Sequence, residues 1–238
     1  MSESFYFRIP DTGTEPIGLF LDTDNAGCYL PMTRMLEIIP FFNIMLPFWK
    51  ETHLQFDTVF YCLKKMHLVE QIILKTQRKD KTYINARLIN PEEEIPIISI
   101  KMLKEMYEMY LKYINETQIT LKSSDLSFAK EYFFEFVRKN EFIDKRGRLD
   151  SLFIYENLGL AQHLNKVYYP KNEVELCKVR VEERRSLDRY DANWFHSLDT
   201  SHVYTDYHHA ARSYWSGVVS GYGMIEYLFS GKYILMQI

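Results

Sequence analysis

The residues of this chain with the clearest chemical potential are a lone acid near its end and a basic stretch before an apolar run. Glu226 stands in "GYGMIEYLF", where a strand is expected to begin. "KRGRLDSLF" (145–153) places basic residues and the hydroxyl of Ser151 directly before a second predicted strand. A carboxylate stabilises a growing positive charge, and an arginine holds phosphate groups through paired hydrogen bonds. Taken alone, Glu226 would ordinarily be a solvated acid at a strand edge, and the stretch 145–153 would be a basic loop that leads into the core.

Other kinds of site have little support in the sequence. His202, His208 and His209 lie on one predicted helix without the i, i+4 spacing of a metal site, so we predict no metal. The 3 cysteines contain no CxxC pair, which argues against a disulfide framework or a cysteine zinc site. No GxSxG, GxGxxG or GxxxxGK[ST] sequence occurs, which disfavours a serine hydrolase and the glycine-rich nucleotide folds.

Composition predicts a compact globular protein without a strongly basic surface. Apolar residues make up 47% of the 238 residues and aromatic residues 16%, with a net charge of −3. A stable duplex-binding surface is therefore disfavoured, whereas a transient nucleic-acid substrate is compatible with this charge. The first residues lack the pattern of a signal peptide, and the apolar stretch Ile38–Trp49 is too short to cross a bilayer. We expect a cytoplasmic protein in which this stretch is core or, alternatively, a partner's docking surface.

Helical patterns dominate the middle of the chain. The stretch Met32–Leu74 is predicted to be helical, cut by Pro40 and Pro47, with Asp57 as an N-cap. Two further helices are predicted, one from about Ile98 to Asn115 and one after Asp125. The predicted buried stripe of the first of these comprises Met102, Leu103, Met106, Met109, Tyr110 and Ile114.

Strand patterns lie at the start of the chain and in its last third. The first predicted strand is Ser4–Ile9, and a short apolar element follows at Ile17–Leu21. The later elements, in chain order, are a strand at Ser151–Tyr155, a helix from about Leu158, a strand at Asn172–Glu183, an irregular segment, a helix at Thr200–Gly217, and either two strands or one bulged strand after Met224. This order predicts an α+β fold in a single domain, residues 1–238, with a helical insertion at about 30–145.

Four phrases in order resemble the ADP-ribosyltransferase fold, and more narrowly a toxin-like family of bacterial and phage proteins. They are "FYFRIP", "FEFVRKNEFIDKRGRLDSLFIYENLGLAQHL", "DRYDANWF" and "AARSYWSGVVSGYGMIEYLFSGKYILMQI". The resemblance covers the first strand and the chain from Phe134 onward, and implies a split β-sheet core with a large helical insertion after the first strand. Two departures are Gly147 before Arg148, and Arg8 where some relatives place a histidine.

The resemblance implies transfer of ADP-ribose from NAD, used as a co-substrate. Glu226 would be the catalytic carboxylate, Ser151 the hydroxyl that bonds the ribose or holds that carboxylate, and Arg148 or Arg8 the pyrophosphate ligand. Tyr155 would lie against nicotinamide, with core packing as an equally weighted interpretation.

The resemblance also implies a macromolecular acceptor and a role as a toxin or phage-defence effector. Asn193 and Trp194 would line the acceptor side, and the loop Gly217–Gly223 would recognise the acceptor. The basic clusters 75–81 and 180–189 slightly favour a nucleic acid over a protein as the acceptor. Charged stretches of this kind are usually solvated surfaces. A toxin would need a neutralising partner, for which Ile38–Trp49 is a candidate contact. The alternative is a catalytically silent module that binds partners.

Overall fold

The computed structural model describes residues 6–10, 17–24, 32–77, 81–91, 93, 97–119, 121–122, 125–168 and 174–238. Helices and antiparallel strands are mixed in these residues, which confirms the predicted α+β class. The chain forms two compact units, one of residues Met1–Pro31, Glu135–Ser197 and Ala211–Ile238 and one of Met32–Phe134 and Leu198–Ala210. The single domain with an insertion stays a prediction.

Strands and helices follow one another along the chain in a mixed order. They are β1 (Tyr6–Arg8), β2 (Phe20–Asp22), α1 (Met32–Thr52), α2 (Phe56–Lys64), α3 (Met66–Gln77), β3 (Tyr83–Asn85), β4 (Ile97–Ser99), α4 (Ile100–Thr117), α5 (Leu126–Glu141), β5 (Leu152–Ile154), α6 (Leu158–Tyr168), β6 (Cys177–Asp191), α7 (Asn193–His196), α8 (Tyr204–Trp215) and β7 (Ile225–Gln237). Short 3₁₀ turns lie at Ala86–Leu88 and Arg148–Asp150.

Strand β7 organises the sheet of the first unit. It pairs antiparallel with β6 along its whole length, from Ile225 opposite Asp191 to Gln237 opposite Cys177. On its other side it pairs with β5 near its start and with β2 near its end. The segment after Met224 is therefore one long strand, the second of the two predicted alternatives.

Backbone pairing closes this sheet on itself. β1 pairs with β6, and just beyond β5 the backbones of Tyr155 and Phe7 exchange two hydrogen bonds of 2.7 and 2.8 Å. The closed order is therefore β1, β6, β7, β5 and back to β1. One face of these strands carries an apolar cluster, called the apolar face below, formed by Leu152, Ile154, Cys177, Val179, Tyr227, Phe229, Tyr233 and Leu235.

The helical unit is built on the long helix α1. Both Pro40 and Pro47 lie inside α1, so the predicted cuts are wrong. A proline costs a helix one backbone hydrogen bond, but tertiary burial overrides this preference. Phe41, Phe42 and Trp49 are fully buried, which makes the apolar stretch part of the core of this unit. Around Trp49, the rings of Phe56, Phe133, Tyr204 and Tyr207 lie with centroids 4.9 to 5.5 Å away.

Other local predictions differ from the structure where long-range pairing decides. The stretch after Asp57 forms two helices rather than one, and Gln55 takes the N-cap position while Asp57 lies in the first turn. Met109 of α4 is 42% exposed, so it does not belong to the buried stripe. β6 continues through the charged stretch 184–191, predicted as irregular, because β7 supplies a full-length partner. Residues 78–80 of the basic cluster 75–81 lie outside the described residues.

None of the helices in the described ranges combines the length and the apolarity needed to cross a membrane.

Gly231 marks the point where β6 and β7 bulge. The register shifts between Val181 and Glu183 and again between Arg184 and Ser186, and Gly231 lies opposite Arg184. Its φ is +150°, and a Cβ there would lie 1.8 Å from the carbonyl oxygen of Glu183. Only glycine allows the two backbones to approach so closely.

We predict that Gly231→Ala destabilises the protein by at least about 2 kcal/mol, because the added methyl must push the two backbones apart. Urea unfolding measures this change. Gly221→Ala is the matched control, since a Cβ at Gly221 meets nothing within 4 Å. Equal stability of the two variants would contradict the bulge geometry.

Candidate functional site

The structure joins Arg148, Tyr214 and Glu226 in one buried polar cluster, called the Arg–Tyr–Glu cluster below. Nη1 of Arg148 donates to Oε1 of Glu226 across 78 positions of sequence. The same guanidinium nitrogen lies 2.7 Å from the Tyr214 hydroxyl, which donates to Oε1 of Glu226 at 2.6 Å. Exposure is 3% for Arg148 and 0% for the other two residues. Two opposite charges are thus held together out of water.

Three aromatic rings surround the guanidinium of Arg148. Its Cζ lies 4.5 Å from the ring centroid of Phe195, 4.7 Å from that of Phe153 and 5.0 Å from that of Tyr214. The negative faces of such rings attract a cation, and the attraction is larger when water is excluded. The rings therefore stabilise the buried charge and fix the plane of its hydrogen-bond donors.

The alternation of side chains along β7 determines which face of the sheet Glu226 lies on. Successive side chains of a strand point to opposite faces. Tyr227 belongs to the apolar face, so Glu226 points to the other face, called the Glu226 face below. Its cross-strand partner Tyr190 shares that face and stacks on Tyr214, with ring centroids 4.7 Å apart at 19°. Helix α8 supplies Tyr214 from its last turn.

The 3₁₀ turn that carries Arg148 is held by a second buried carboxylate. Both Oε atoms of Glu135 accept hydrogen bonds from Arg138, at 2.7 and 2.9 Å. Arg138 also donates to the carbonyl of Lys145, at the entrance to the turn. A Cβ on Gly147 would lie 3.0 Å from Oε2 of Glu135, so glycine allows the turn to pack against this ion pair. The departure at Gly147 thus has a packing reason.

Burial keeps the Tyr214 phenol protonated. Removal from water raises its pKa well above the ordinary value, the charge of Glu226 acts in the same direction, and Arg148 opposes both. The neutral hydroxyl can therefore donate to Glu226 throughout the physiological range. The cluster holds one positive charge, one negative charge and one neutral donor.

The two other residues expected on β5 lie on the Glu226 face. Leu152 and Ile154 belong to the apolar face, so alternation places Ser151 and Tyr155 on the opposite face. The hydroxyl of Ser151 donates to the carbonyl of Gly147 at 2.8 Å and so closes the turn around Arg148. Tyr155 is 3% exposed, and its backbone closes the sheet against β1.

Arg8 is not brought to the Arg–Tyr–Glu cluster. It pairs across the strands with Cys177, a member of the apolar face, so it lies on the face opposite to Glu226. Its guanidinium donates to the backbone carbonyl of Phe153 at 3.4 Å, and the residue is 3% exposed. Of the two arginines considered for phosphate binding, Arg148 contacts Glu226 and Arg8 contacts the backbone of β5.

The carboxylate of Asp191 holds the loop before β7 through hydrogen bonds. This carboxylate, 1% exposed, accepts backbone N–H groups of Asn193, Ser220 and Met224 at 2.9, 2.6 and 2.8 Å. Burial would raise the pKa of Asp191, but these hydrogen bonds outweigh burial and lower it. The carboxylate therefore remains ionised below the ordinary carboxyl range.

The side chains of Asn193 and Trp194 hold the same loop. The Asn193 amide donates to the Ser220 hydroxyl at 3.0 Å, and the Trp194 indole donates to the carbonyl of Val218 at 2.7 Å. The loop in turn presents large apolar side chains to solvent, with Tyr222 92% exposed. A rigid loop with an exposed aromatic tip is suited to contact another macromolecule.

The sequence interpretation missed Tyr214 and Asp191 as parts of this region. Both stand in quoted phrases, "AARSYW" and "DRYDANWF". A tyrosine in an apolar helix end and an aspartate before a turn have ordinary packing and capping interpretations. Their roles follow from contacts 12 to 66 positions away, which no local pattern encodes.

The described residues contain no group of three or more His, Cys, Asp or Glu side chains placed to hold a metal ion.

Comparison with known families assigns the chain to DUF2441, a family described as proteins of unknown function. The match covers residues 59–238, which is more than half of the chain, so this protein belongs to that family. The matched region includes Arg148, Tyr214 and Glu226 but not Arg8. No curated protein matches the chain.

We predict strong energetic coupling between Arg148 and Glu226. Glu226→Gln or Arg148→Met alone should cost about 3–5 kcal/mol of unfolding free energy, because each leaves a buried charge uncompensated. The double variant removes both charges, so it should cost at least about 2 kcal/mol less than the sum of the single costs. Urea unfolding of the four proteins completes the cycle.

The exposed pair Lys232–Glu183 is the control cycle. Its nitrogen and oxygen lie 2.6 Å apart, with both side chains 48% exposed. Coupling there should stay below about 1 kcal/mol. Additive costs for Arg148 and Glu226 would contradict a desolvated ion pair.

We predict that Asp191→Asn loosens the loop before β7, because an amide has one acceptor oxygen in place of two. Cleavage after Tyr222 by chymotrypsin under native conditions should accelerate, whereas Asp188→Asn on the same strand should leave the rate unchanged. In the parent protein the pKa of Asp191 is lowered in the folded state. The three backbone hydrogen bonds to Asp191 are therefore intact above the ordinary carboxyl pKa, and they are lost as pH falls through the lowered pKa of Asp191. If Asp191→Asn resists this cleavage as the parent protein does, Asp191 does not hold the loop.

Proposed function

We propose that this protein is an NAD-dependent ADP-ribosyltransferase that uses Glu226 as its catalytic carboxylate. The observation that carries the proposal is the contact between Glu226 and Arg148. The resemblance alone singles out both as site residues, and they meet on one sheet face although 78 positions separate them. Ser151 lies in the same turn as Arg148, on the same face.

The chemistry needs a fixed negative charge beside the ribose. Cleavage of the bond between ribose C1′ and the nicotinamide nitrogen builds positive charge on the sugar, as in glycoside hydrolysis. The bonding electrons leave with nicotinamide, and a nucleophile of the acceptor attacks C1′ and loses a proton. A carboxylate that the Tyr214 hydroxyl keeps oriented can stabilise this charge once Arg148 has moved away.

Access to Glu226 requires the cluster to open. Oε1 of Glu226 is occupied by Arg148 and Tyr214, and the residue has no exposed surface. In this proposal the ribose hydroxyls replace Arg148 as partners of the carboxylate, and the released guanidinium binds the pyrophosphate. Ser151 and Tyr155 contribute from the two ends of β5, whereas Arg8 acts only if β1 shifts, since it lies on the opposite face.

The loop before β7 supports a protein acceptor rather than the nucleic acid favoured by the basic clusters. The segment 213–224 contains no charged residue. Its large exposed apolar side chains are Val218, Val219 and Tyr222. Nucleic-acid binding depends on cationic contacts to phosphates, whereas exposed aliphatic and aromatic groups suit a protein surface. Modification of such a target would make the protein a toxin or defence effector with a need for a neutralising partner.

A second candidate is a catalytically silent module that binds partners. The observation that favours it is the complete burial of Glu226 in an ion pair. Such a pair can serve to specify the packing of α8 and the Arg148 turn on the sheet, without contact to any substrate. Transfer activity separates the two candidates.

The test is incubation of the full chain with labelled NAD and cell lysate, followed by separate protease, RNase and DNase digestion. We expect protease-sensitive label, and a loss of at least about 100-fold with Glu226→Gln, the size seen when one pre-organised electrostatic group is removed. Expression should also slow cell growth, and the same substitution should relieve the effect.

Glu183→Gln is the matched control, because it neutralises an exposed acid on β6. Glu226→Asp keeps the charge next to Arg148 and retracts it by one methylene, so it tests activity if the glutamine variant fails to fold. Absence of label in every fraction, or full activity of a folded Glu226 variant, would reject the transferase in favour of the silent module.

A further inference from the structure

Tyr190 carries a buried hydroxyl beside the Arg–Tyr–Glu cluster. The residue is 3% exposed, and its hydroxyl oxygen forms no hydrogen bond to any of the described residues. Such a hydroxyl has lost its hydrogen bonds to water and gained none in the fold, so it lowers the stability of the folded state. Phenylalanine would fill the same space without this cost, so packing alone does not account for the hydroxyl.

Aromatic neighbours hold the ring of Tyr190 in one position. It stacks on the ring of Tyr214, with centroids 4.7 Å apart at 19°, and meets the ring of Trp215 edge to face at 5.3 Å. Both neighbours are fully buried. A flip of the ring about its own axis leaves the hydroxyl oxygen in place, and a change of χ1 would break the stack. The hydroxyl therefore stays where the fold puts it.

The position of Tyr190 is directly opposite Glu226 in the register of β6 and β7. Residues paired in this way project from the same face, with Cβ atoms roughly 4.5–5.5 Å apart. Burial raises the pKa of Tyr190, Asp188 acts in the same direction and Arg138 opposes both, so the phenol is neutral and able to donate. Tyr190 thus adds a hydrogen-bond donor to the Glu226 face, next to the carboxylate itself.

We infer that Tyr190 binds the ligand at the Arg–Tyr–Glu cluster, with its hydroxyl donating to a hydroxyl of the nicotinamide ribose. The inference rests on the proposed function, in which ribose hydroxyls replace Arg148 at Glu226. A sugar hydroxyl can donate and accept at the same time. It therefore donates to the Glu226 carboxylate and accepts from Tyr190, and the Tyr190 hydroxyl gains the partner that the fold does not give it. The donor is in place before the ligand arrives.

Ser186 offers a comparison on the same strand. Its hydroxyl oxygen is also buried and also forms no hydrogen bond within the described ranges. It lies on the same face as Tyr190, four positions and roughly 13 Å along β6. Its register partner is Ser230, whose hydroxyl lies 3.3 Å from that of Thr23. Rotation about a single bond lets a serine hydroxyl seek a neighbour, whereas the stacked ring denies this to Tyr190.

Calorimetric titration of the full chain with NAD tests the inference through Tyr190→Phe. We expect the affinity for NAD to fall about tenfold, because one hydrogen bond to the ligand is lost. The urea midpoint should stay the same or rise, because no hydrogen bond of the fold is lost. Two NAD analogues lack either the 2′- or the 3′-hydroxyl of the nicotinamide ribose. For one of them the substitution should leave the affinity unchanged, since the hydroxyl that Tyr190 contacts is already absent.

Ser186→Ala is the matched control, because it removes a buried hydroxyl from the same face and should leave the affinity for NAD unchanged. A less stable or unfolded Tyr190→Phe would overturn the inference, since the hydroxyl would then serve the fold, for example through a buried water. Unchanged affinity for NAD, or equal weakening for NAD and both analogues, would overturn it as well.

The same variants keep the inference separate from the proposed function. NAD binding that depends on Tyr190, without any labelled product, rejects the transfer reaction and keeps the binding role of Tyr190. Labelled product with an affinity for NAD that Tyr190→Phe leaves unchanged rejects only the role of Tyr190. Absence of NAD binding to the parent protein rejects both.

Discussion

The buried ion pair between Arg148 and Glu226 is the interaction on which the first unit depends. Moving two charges out of water is costly, and their attraction repays that cost only when geometry and hydrogen bonding are close to ideal. In this protein the Tyr214 hydroxyl contacts both partners, and three rings enclose the guanidinium. The last turn of α8, the 3₁₀ turn and the start of β7 must therefore be in place together.

That constraint reaches outward through further buried polar groups. Glu135 and Arg138 hold the entrance to the 3₁₀ turn, and Asp191 holds the loop that leads into β7. Each carboxylate is satisfied by fixed donors, so neither segment can shift without leaving a buried group unpaired. The result is a rigid support around Glu226. Such rigidity suits a pre-organised catalytic charge and equally a structural pair, which is why activity, and not geometry, separates the two candidate functions.

Local signals predicted the elements whose patterns are strong. Helix α6 begins at Leu158 as the sequence indicated, and strands β1 and β5 lie within their predicted ranges. Prediction failed where distant partners override local preference. Pro40 and Pro47 remain inside α1 because its apolar side chains are buried, and the charged end of β6 is a strand because β7 pairs with it. Of the candidate site, Arg148, Ser151 and Glu226 were named from the sequence, but Tyr214 was not.

The sequence by itself determined the α+β class, the order of most elements and the position of a lone acid at the start of the last strand. Tertiary structure decided what that acid contacts. Alternation along β7 and closure of the sheet put Glu226 against Arg148 and Tyr214, and the same alternation put Arg8 on the opposite face. Periodicity along a chain gives each side chain a face, but only the pairing of strands and the packing of helices determine which faces meet.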